Sequence, residues 1–244
     1  MIGYPLGHSF SARYFAEKFE RDGIDAEYRN FEIPCIDRIA DIIKDNEALC
    51  GLNVTIPYKR DVIPYLDYMS DEAAEIGAVN CIRIVRSEGR VRLEGFNTDE
   101  AGFRLSLAPL LQSGVHTDAL VLGTGGASGA VMCALRKLGI GATYVSRCRG
   151  EGILAYEDLT EELVAENKLI VNCTPVGMFP HTEECPPIPY GGVSAGHLLY
   201  DLVYNPERTL FMRRGEERGA AAKNGLEMLH RQADAAWDIW NDNR

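Results

Sequence analysis

Apolar positions recur along the chain with two alternating spacings. Stretches in which they return every three or four residues are typical of amphipathic helices, and short continuous apolar runs are typical of buried strands. In the first part of the chain this pattern predicts helical stretches at 11–22, 35–46, 62–66 and 71–76, and strands at 27–31, 51–56, 78–85 and 91–95. In the second part it predicts helices at 98–111, 127–138, 212–224 and 226–240, and strands at 119–122, 142–145, 169–172 and 198–202.

The order of these elements indicates the fold class. Helices that alternate with strands favour an α/β fold whose mostly parallel sheet carries helices on its faces. Gly95, Phe96 and Asn97 separate the two series, and the last helix has an apolar face with no strand of its own. We therefore expect two domains with a cleft between them: residues 1–97 completed by the helix 225–244, and residues 98–224.

Composition and charge exclude several classes of protein. Of the 244 residues, 46% are hydrophobic and 25% are charged, which excludes a disordered chain. The formal net charge of −11 argues against a general nucleic-acid or membrane-surface binder, although it leaves room for a local basic pocket.

Cysteine and histidine usage adds to this picture. The seven cysteines form no C-x-x-C pair, which is typical of reduced thiols in a cytosolic protein. The five histidines have no metal-binding spacing, so we expect no metal. Glycines interrupt the longest uncharged run, and the first residues lack the basic start of a signal peptide. These features predict a soluble cytoplasmic protein.

A glycine-rich turn lies between a predicted strand and a predicted helix. Gly123, Gly125 and Gly126 follow the apolar run 119–122. At such a turn the peptide N–H groups and the positive end of the helix dipole can face a pyrophosphate. The spacing departs from G-x-G-x-x-G because Ser128 occupies the third glycine position, and a purely structural turn is the alternative.

The end of the next strand bears on which dinucleotide would bind. An NAD enzyme is expected to carry an acidic residue there for the ribose hydroxyls. Here the strand is followed by Ser146, Arg147, Cys148 and Arg149, with no carboxylate before Glu151. Either arginine can hold the 2′-phosphate of NADP, because the planar guanidinium matches phosphate. The alternative is that both arginines are solvated loop residues.

Seven separated motifs occur in order along nearly the whole chain. They are Gly3-Tyr4-Pro5-Leu6-Gly7-His8-Ser9-Phe10-Ser11, Asn53-Val54-Thr55-Ile56-Pro57-Tyr58-Lys59, Gly77-Ala78-Val79-Asn80, Asn97-Thr98-Asp99, Asn172-Cys173-Thr174-Pro175-Val176-Gly177-Met178, Tyr204-Asn205-Pro206 and Asn224-Gly225-Leu226-Glu227-Met228-Leu229, with the glycine turn between the fourth and fifth. In this combination the chain resembles the shikimate dehydrogenase family. The resemblance implies a substrate-binding α/β domain, a Rossmann-like nucleotide-binding domain, and the interconversion of 3-dehydroshikimate and shikimate with NADP(H), in aromatic amino-acid (chorismate) biosynthesis.

The resemblance also implies residue roles. Lys59 and Asp99 match the family's catalytic pair. Substrate-contacting positions are matched by Ser9, Ser11, Thr55, Lys59, Asn80, Asp99, Tyr204 and Gln232. Cofactor positions are matched by Asp71, Gly123, Gly125, Gly126, Ala127, Ser146, Arg147, Thr174, Met178, Leu202, Gly225 and Met228.

Physical chemistry supports these assignments for two groups of side chains. Hydride transfer to a ketone leaves negative charge on its oxygen, and a lysine beside an aspartate can stabilise that charge and supply a proton. The alternative for Lys59 and Asp99 is a surface salt bridge. Hydroxyl and amide side chains such as those of Thr55 and Asn80 suit a small polyhydroxylated acid, and the alternative for each is a cap or a turn.

The chain departs from the family pattern in several places. It begins almost inside the first motif at Ile2, and Ala12 and Glu100 replace residues that are commonly Pro and Gly. Only about two dozen residues separate Arg147 from Asn172, where the family normally has a crossover helix and a further strand, so we expect a shortened nucleotide-binding domain. The alternatives are a quinate/shikimate dehydrogenase that uses NAD or NADP, and a non-catalytic ligand-binding sensor. We expect a monomer or a homodimer.

Overall fold

The computed structural model describes residues 1–6 and 10–242, which form two compact units. The first unit contains Met1–Thr98 and the segment that begins at Gln232, and the second contains Asp99–Arg231. Helices and strands alternate in both units, which confirms the predicted α/β class. The domain boundaries predicted from the sequence stay predictions.

The first unit contains short strands in two sheets. Its strands are β1 (Ile2–Gly3), β2 (Phe31–Glu32), β3 (Gly51–Asn53), β4 (Tyr68–Met69), β5 (Cys81–Ser87) and β6 (Arg90–Phe96). β1 pairs with β2 in parallel, and Ile2 also forms a parallel bridge with Val54. The other four strands form a sheet in the order β3-β5-β6-β4.

This four-stranded sheet corrects the prediction of a mostly parallel arrangement. β5 is antiparallel to both β3 and β6, and only β4 and β6 run in parallel. Glu88 (φ 50°) and Gly89 (φ 74°) form the two-residue turn between β5 and β6. A two-residue turn with two positive φ angles joins antiparallel strands, because a parallel pair needs a far longer connection.

Three helices lie wholly within the first unit, namely α1 (Phe10–Asp22), α2 (Ile39–Asp45) and α3 (Asp71–Ile76). The apolar face of α2 packs with Leu52, Ile82 and Ile84 in a common core. The bounds of α3 are set by its caps. The Ser70 side chain accepts from the N–H of Ala73, and Gly77 ends the helix in the left-handed conformation with φ 68°.

The second unit is a six-stranded parallel sheet. Its strands are β7 (Asp118–Leu122), β8 (Gly141–Ser146), β9 (Ile153–Ala155), β10 (Leu169–Asn172), β11 (Leu198–Asp201) and β12 (Ala221–Lys223), in the order β12-β11-β10-β7-β8-β9. β10 and β11 are buried along their whole length and β7 at all but its first residue, as their continuous apolar runs predict for strands covered on both faces. This confirms the Rossmann-like architecture.

Helices accompany this sheet. They are α4 (Thr98–Leu107), α5 (Ser128–Lys137), α6 (Glu161–Glu166) and α7 (Leu210–Glu216). The long α8 (Leu226–Asn241) begins in the second unit and ends in the first, where Phe15, Phe19 and Ala233 share a buried cluster. The Trp240 indole N–H there donates to the carbonyl of Ile82 at 3.1 Å.

The prediction of one helix over 212–224 was wrong in its second half. α7 ends at Glu216, Gly219 adopts a φ of 86°, and Ala221–Lys223 forms β12 beside β11. The three consecutive alanines favour a helix by intrinsic propensity, but pairing with the edge of a buried strand overrides that preference.

The connection between β8 and β9 is unusually short. Only six residues, 147–152, join these parallel strands, whereas such a connection usually takes a dozen or more. Ile153, the first residue of β9, pairs with Tyr144, which lies two residues before the end of β8. The connection therefore has to run back along β8 by only two residue positions. A turn at Gly152 (φ 69°) makes this return. The crossover helix is therefore absent, whereas the further strand, which sequence analysis did not predict, is present.

Candidate active site

In the second unit, several predicted cofactor residues lie at the carboxyl ends of neighbouring strands. Leu202 follows β11, Thr174 follows β10, Gly123 follows β7 and Ser146 ends β8. The direction in which strands are added to the sheet reverses between β7 and β10. In open α/β sheets, ligands bind in the crevice at the carboxyl ends of strands where this reversal occurs.

Gly123 and Thr174 approach each other closely across this reversal point. Gly123 has a φ of 97°, and a Cβ atom added there would lie 2.7 Å from Cγ2 of Thr174. Glycine is therefore required for both the backbone angle and the contact. The N–H of Gly123 donates to the carbonyl of Val145 at 2.7 Å, which ties the turn to β8.

The rest of the glycine turn is open. A Cβ atom added at Gly125 or Gly126 would meet nothing within 4 Å, and α5 begins two residues later at Ser128. Ser128 is 2% exposed and donates its hydroxyl to the carbonyl of Gly125 at 2.8 Å. The residue that breaks the glycine spacing therefore turns inward. The exposed backbone at the start of α5 fits the pyrophosphate of a dinucleotide.

The two arginines after β8 have different surroundings. Arg149 forms a two-fold hydrogen-bonded ion pair with Asp158, in which Nε lies 3.0 Å from Oδ2. Arg147 is exposed and close enough to Tyr156 to affect the pKa of its hydroxyl. Within residues 1–6 and 10–242, Arg147 takes part in none of the ion pairs found. The structure thus leaves Arg147, rather than Arg149, available to a phosphate.

Gly225 and Leu202 form a second close backbone contact. The N–H of Gly225 donates to the carbonyl of Val203 at 3.3 Å, and a Cβ atom added at Gly225 would lie 2.2 Å from the carbonyl oxygen of Leu202. Met228, in contrast, is only 7% exposed and belongs to the buried cluster of this unit. Met178 is half exposed in the loop after β10.

A buried polar network that sequence analysis missed supports these strand ends. Asn172 and Asp201, the last residues of β10 and β11, are both 0% exposed. Nδ2 of Asn172 donates to Oδ1 of Asp201 at 2.9 Å, and Oδ1 of Asn172 accepts from the N–H and the hydroxyl of Thr174. The available signal was a polar residue that ends a continuous apolar strand, since such a residue is buried only if it is hydrogen-bonded.

In the first unit, Asn80 and Gln232 form a polar cluster with Thr98. Oδ1 of Asn80 accepts from the N–H of Thr98 at 2.7 Å, and its Nδ2 lies 3.0 Å from the Thr98 hydroxyl and 3.5 Å from Oε1 of Gln232. Thr98 was missed as a site residue. It starts α4 and immediately precedes Asp99, which is 8% exposed.

Ser11 belongs to a second polar cluster of the first unit. It is 6% exposed and hydrogen-bonded to Tyr28. The Tyr28 hydroxyl donates to Oδ1 of Asn53 at 2.6 Å, and burial raises the pKa of that hydroxyl above its ordinary value. Tyr28 and Asn53 were not assigned a role from the sequence. Ser9 lies outside the described residues.

Thr55 and Lys59 lie on the turn after β3, and both are half-buried. The N–H of Thr55 donates to the carbonyl of Ile2 at 3.0 Å, and the carbonyl of Lys59 accepts from the N–H of Val79 at 2.7 Å. Tyr58 is 5% exposed and donates its hydroxyl to the carbonyl of Ile33. Hydrogen bonds to Ile2, Ile33 and Val79 therefore fix the backbone that carries both side chains.

The remaining predicted positions are more exposed. Asp71 is an exposed residue in the first turn of α3, and Tyr204 is 39% exposed in the loop after β11. The first unit also has a cavity of about 620 Å³ between Phe19, Leu49, Trp237 and Trp240, and none of the predicted site residues lines it.

Three further observations bear on the chemistry of the molecule. Among the residues that the structure describes, no group of three or more His, Cys, Asp or Glu side chains could hold a metal ion. No helix in the same part of the chain is long and apolar enough to cross a membrane. All seven cysteines are free.

Comparison with known proteins gives consistent results. Residues 1–82 match the family model described as the shikimate dehydrogenase substrate binding domain. The shikimate dehydrogenase (NADP(+)) of Symbiobacterium thermophilum is 36% identical over 265 aligned residues, covering 100% of this chain and 88% of the relative. The Thermus thermophilus shikimate 5-dehydrogenase in complex with NADP(H) and shikimate has a TM-score of 0.84 and 33% identity, covering 98% of this chain and 91% of that one.

A solved structure with a different printed activity is also similar. The ligand-free 5-ketofructose reductase of Gluconobacter sp. strain CHM43 has a TM-score of 0.84 and 27% identity, and the match covers 98% of this chain and 91% of that chain. The fold is thus shared by enzymes that are named for different substrates.

Proposed function

The chain belongs to the shikimate dehydrogenase family, and we propose on this basis that it catalyses the reversible, NADP-dependent reduction of 3-dehydroshikimate to shikimate. This reaction belongs to the biosynthesis of chorismate and the aromatic amino acids. The observation that carries the redox half of the proposal is the crevice at the strand ends of the second unit, where Gly123 lies against Thr174.

The cofactor has suitable partners in this crevice. The open turn at Gly125 and Gly126 would hold the pyrophosphate on the amino end of α5, and Ala127 follows this turn. Arg147, with Ser146 beside it, would hold the 2′-phosphate. Thr174, Leu202 and Gly225 would line the nicotinamide side, and the bound cofactor supplies the hydride. Roles for Asp71, Met178 and Met228 in cofactor binding belong to the same proposal.

The substrate would be held by the polar groups of the first unit. Ser11 supplies a buried hydroxyl, Thr55 a half-buried one, and the cluster of Asn80 with Gln232 supplies amide donors and acceptors. Hydroxyls suit a carboxylate, and amides suit the hydroxyls of a ring. Tyr204 is a further contact in this proposal.

Lys59 and Asp99 would carry the proton chemistry. As hydride reaches the carbonyl carbon, negative charge develops on the oxygen, and the Lys59 ammonium would stabilise that charge and deliver a proton. Asp99 lies in the first turn of α4, where the helix dipole favours a carboxylate, and it would orient the lysine. In the reverse direction the same pair would accept the hydroxyl proton of shikimate.

A matrix of substrates and cofactors tests the proposed function. Initial rates are measured for shikimate and quinate, each with NADP⁺ and NAD⁺, and for 5-ketofructose with NADPH. We expect the highest kcat/KM for shikimate with NADP⁺. Faster oxidation of quinate would favour the alternative quinate/shikimate dehydrogenase, preference for 5-ketofructose would contradict the proposal, and tight binding without turnover would favour a sensor.

Replacement of the proposed proton donor tests the mechanism. Lys59→Met removes the ammonium but keeps a side chain of similar length, so we expect kcat to fall by about 10²- to 10⁴-fold. Lys44→Met is the matched control, because Lys44 is an exposed lysine on α2. An unchanged kcat in Lys59→Met at pH 7 would exclude this role for Lys59.

A cytoplasmic location and a monomeric or homodimeric state complete the proposal. The seven free cysteines support a reducing compartment. Light scattering on the purified protein measures the oligomeric state directly, and a trimer or a larger assembly would contradict this part.

A further inference from the structure

Asp201 is a buried ionisable residue to which the proposed mechanism gives no task. Its carboxylate accepts three hydrogen bonds, from Nδ2 of Asn172 at 2.9 Å, from the N–H of Val203 at 3.0 Å and from the hydroxyl of Thr209 at 2.6 Å. Thr209 is also 0% exposed. Burying a carboxylate is unfavourable unless its partners compensate, and these three donors provide the compensation for Asp201.

The hydrogen bonds of Asp201 reach both sides of the crevice. Through Asn172 they reach Thr174, whose N–H and hydroxyl donate to Oδ1 of Asn172 at 3.0 and 2.6 Å. The Asp201 carboxylate also accepts directly from the N–H of Val203, the residue after Leu202. The N–H of Leu202 in turn donates to the carbonyl of Asn172 at 2.9 Å. The Asp201 carboxylate therefore joins the ends of β10 and β11 in addition to the backbone hydrogen bond between them.

We propose that Asp201 is a positioning residue of the cofactor site, which holds Thr174 and Leu202 at the spacing that the nicotinamide half requires. This inference rests on the proposed function, because that function assigns Thr174 and Leu202 to the cofactor. In this role Asp201 touches neither substrate nor cofactor and acts only through its neighbours.

The negative charge of Asp201 strengthens this hold. Hydrogen bonds to an ionised carboxylate are roughly twice as strong as those to a neutral acceptor. When Asp201 is protonated, one oxygen can still accept from Asn172 and Val203 while the other donates to Thr209. Protonation therefore preserves the hydrogen bonds of Asp201 but weakens them.

Protonation occurs within an accessible pH range. Burial raises the pKa of Asp201 from 3.8 to about 6, against the opposing effect of its three hydrogen bonds. The charge of Asp201 affects the pKa of two ionisable groups, Cys173 and Tyr190, and burial raises the pKa of both, so both are neutral between pH 5 and 8. The guanidinium of Arg214 lies over the Tyr190 ring, 5.3 Å from the ring centroid.

The sign of the stability effect follows from the raised pKa. The folded protein binds the Asp201 proton more tightly than the unfolded chain, so this residue favours folding most below pH 3.8, and its contribution is lost as the pH rises through about 6. The free energy of unfolding is thus lower when Asp201 is ionised, although the ionised carboxylate holds the crevice most firmly.

The test compares Asp201→Asn with the wild-type protein between pH 5 and 8. Asparagine has the shape and hydrogen-bonding pattern of the protonated aspartic acid. We therefore expect the Kd for NADP⁺, measured by calorimetry, to be about 3- to 10-fold higher in the variant at pH 8 and equal to that of the wild type at pH 5. Titration of the cofactor's own phosphate affects both proteins equally and cancels in this ratio.

Two controls keep the test decisive. Asp118→Asn changes an exposed carboxylate at the amino end of β7. The ratio of its Kd for NADP⁺ to that of the wild type should therefore stay at one from pH 5 to pH 8. Thr209→Val removes one partner of Asp201 and should weaken cofactor binding at pH 8 in the folded protein. A ratio for Asp201→Asn that is independent of pH, or equal to one at pH 8, would overturn the positioning role. Because binding is measured directly, absence of turnover would count against the proposed function and not against this inference.

Discussion

The candidate binding groups are side chains in the first unit and mostly backbone groups in the second. In the first unit the groups are side chains, such as the hydroxyls of Ser11 and Thr55 and the amide of Asn80. In the second unit they are mostly backbone, exposed at glycines where neighbouring strands end. A polyhydroxylated acid needs donors and acceptors at specific points, whereas a pyrophosphate needs several N–H groups and no obstructing side chain.

The two kinds of binding group should respond differently to mutation. A side chain that donates one hydrogen bond can be removed at a cost of about 1 kcal/mol, and the rest of its unit stays folded. A backbone site cannot be removed in this way, but an added methyl group can obstruct it. Among the groups proposed only to bind, we therefore expect an added methyl group in the second unit to weaken binding most, and removal of a single side chain from the first unit to weaken it less.

Of the changes that compare the two units, Gly225→Ala is expected to have the largest effect on binding. The new Cβ atom would lie 2.2 Å from the carbonyl oxygen of Leu202, so the chain has to shift by an amount that lowers the free energy of unfolding by about 1–3 kcal/mol. The same shift should abolish measurable cofactor binding. Urea unfolding and a fluorescence titration with NADPH measure the two effects.

Gly125→Ala separates obstruction of the ligand from damage to the fold. Because its Cβ atom would meet nothing within 4 Å, stability should stay unchanged while the KM for NADP⁺ rises about 10-fold or more. Gly196→Ala, at an exposed glycine before β11 whose nearest neighbour is 4.0 Å away, is the control. Normal cofactor affinity in Gly125→Ala would show that this turn does not bind phosphate.

An intermediate effect is expected from Arg147, the charged side chain that we assign to the 2′-phosphate. Arg147→Ser should raise the KM for NADP⁺ about 10- to 100-fold and leave the KM for NAD⁺ nearly unchanged, since only NADP carries that phosphate. Arg149→Ser is the matched control, because Asp158 already occupies the Arg149 guanidinium. Equal effects of the two substitutions on NADP⁺ would argue against a specific role for Arg147.

The smallest effect is expected from Thr55→Val, which removes a single hydroxyl from the first unit. The KM for shikimate should rise about 5- to 10-fold, with kcat, the KM for NADP⁺ and the melting temperature nearly unchanged. Thr117→Val, at an exposed threonine before β7, should have no effect on any of these. A larger loss in Thr55→Val than in Gly125→Ala would reverse the proposed contrast between the units.

The fold could be predicted from the sequence wherever one local signal was strong. The helix predicted at 71–76 coincides with α3, since Ser70 and Gly77 cap it. The buried strands of the second unit were found because apolar runs covered on both faces are hard to mistake. The hairpin of β5 and β6 was mistaken for part of a parallel sheet, because the turn at Glu88 and Gly89 was not recognised.

The candidate site was predictable at motif level, and its supporting residues were not. Asn80 was assigned from the resemblance, but its partner Thr98 was not, although it lies one residue before Asp99. Tyr28 and Asp201 were missed because their importance depends on hydrogen bonds to residues 25 and 29 positions away. The polar end of an apolar strand signals that Asp201 is hydrogen-bonded, but a single sequence does not show which distant residue is its partner.

The six-residue connection after β8 has a consequence for engineering. It contains Arg147 and no helix, and all six of its residues are exposed, so it can be exchanged as a unit. Exchange of residues 147–152 for another loop of equal length should change the coenzyme preference and leave the buried residues of the second unit unchanged.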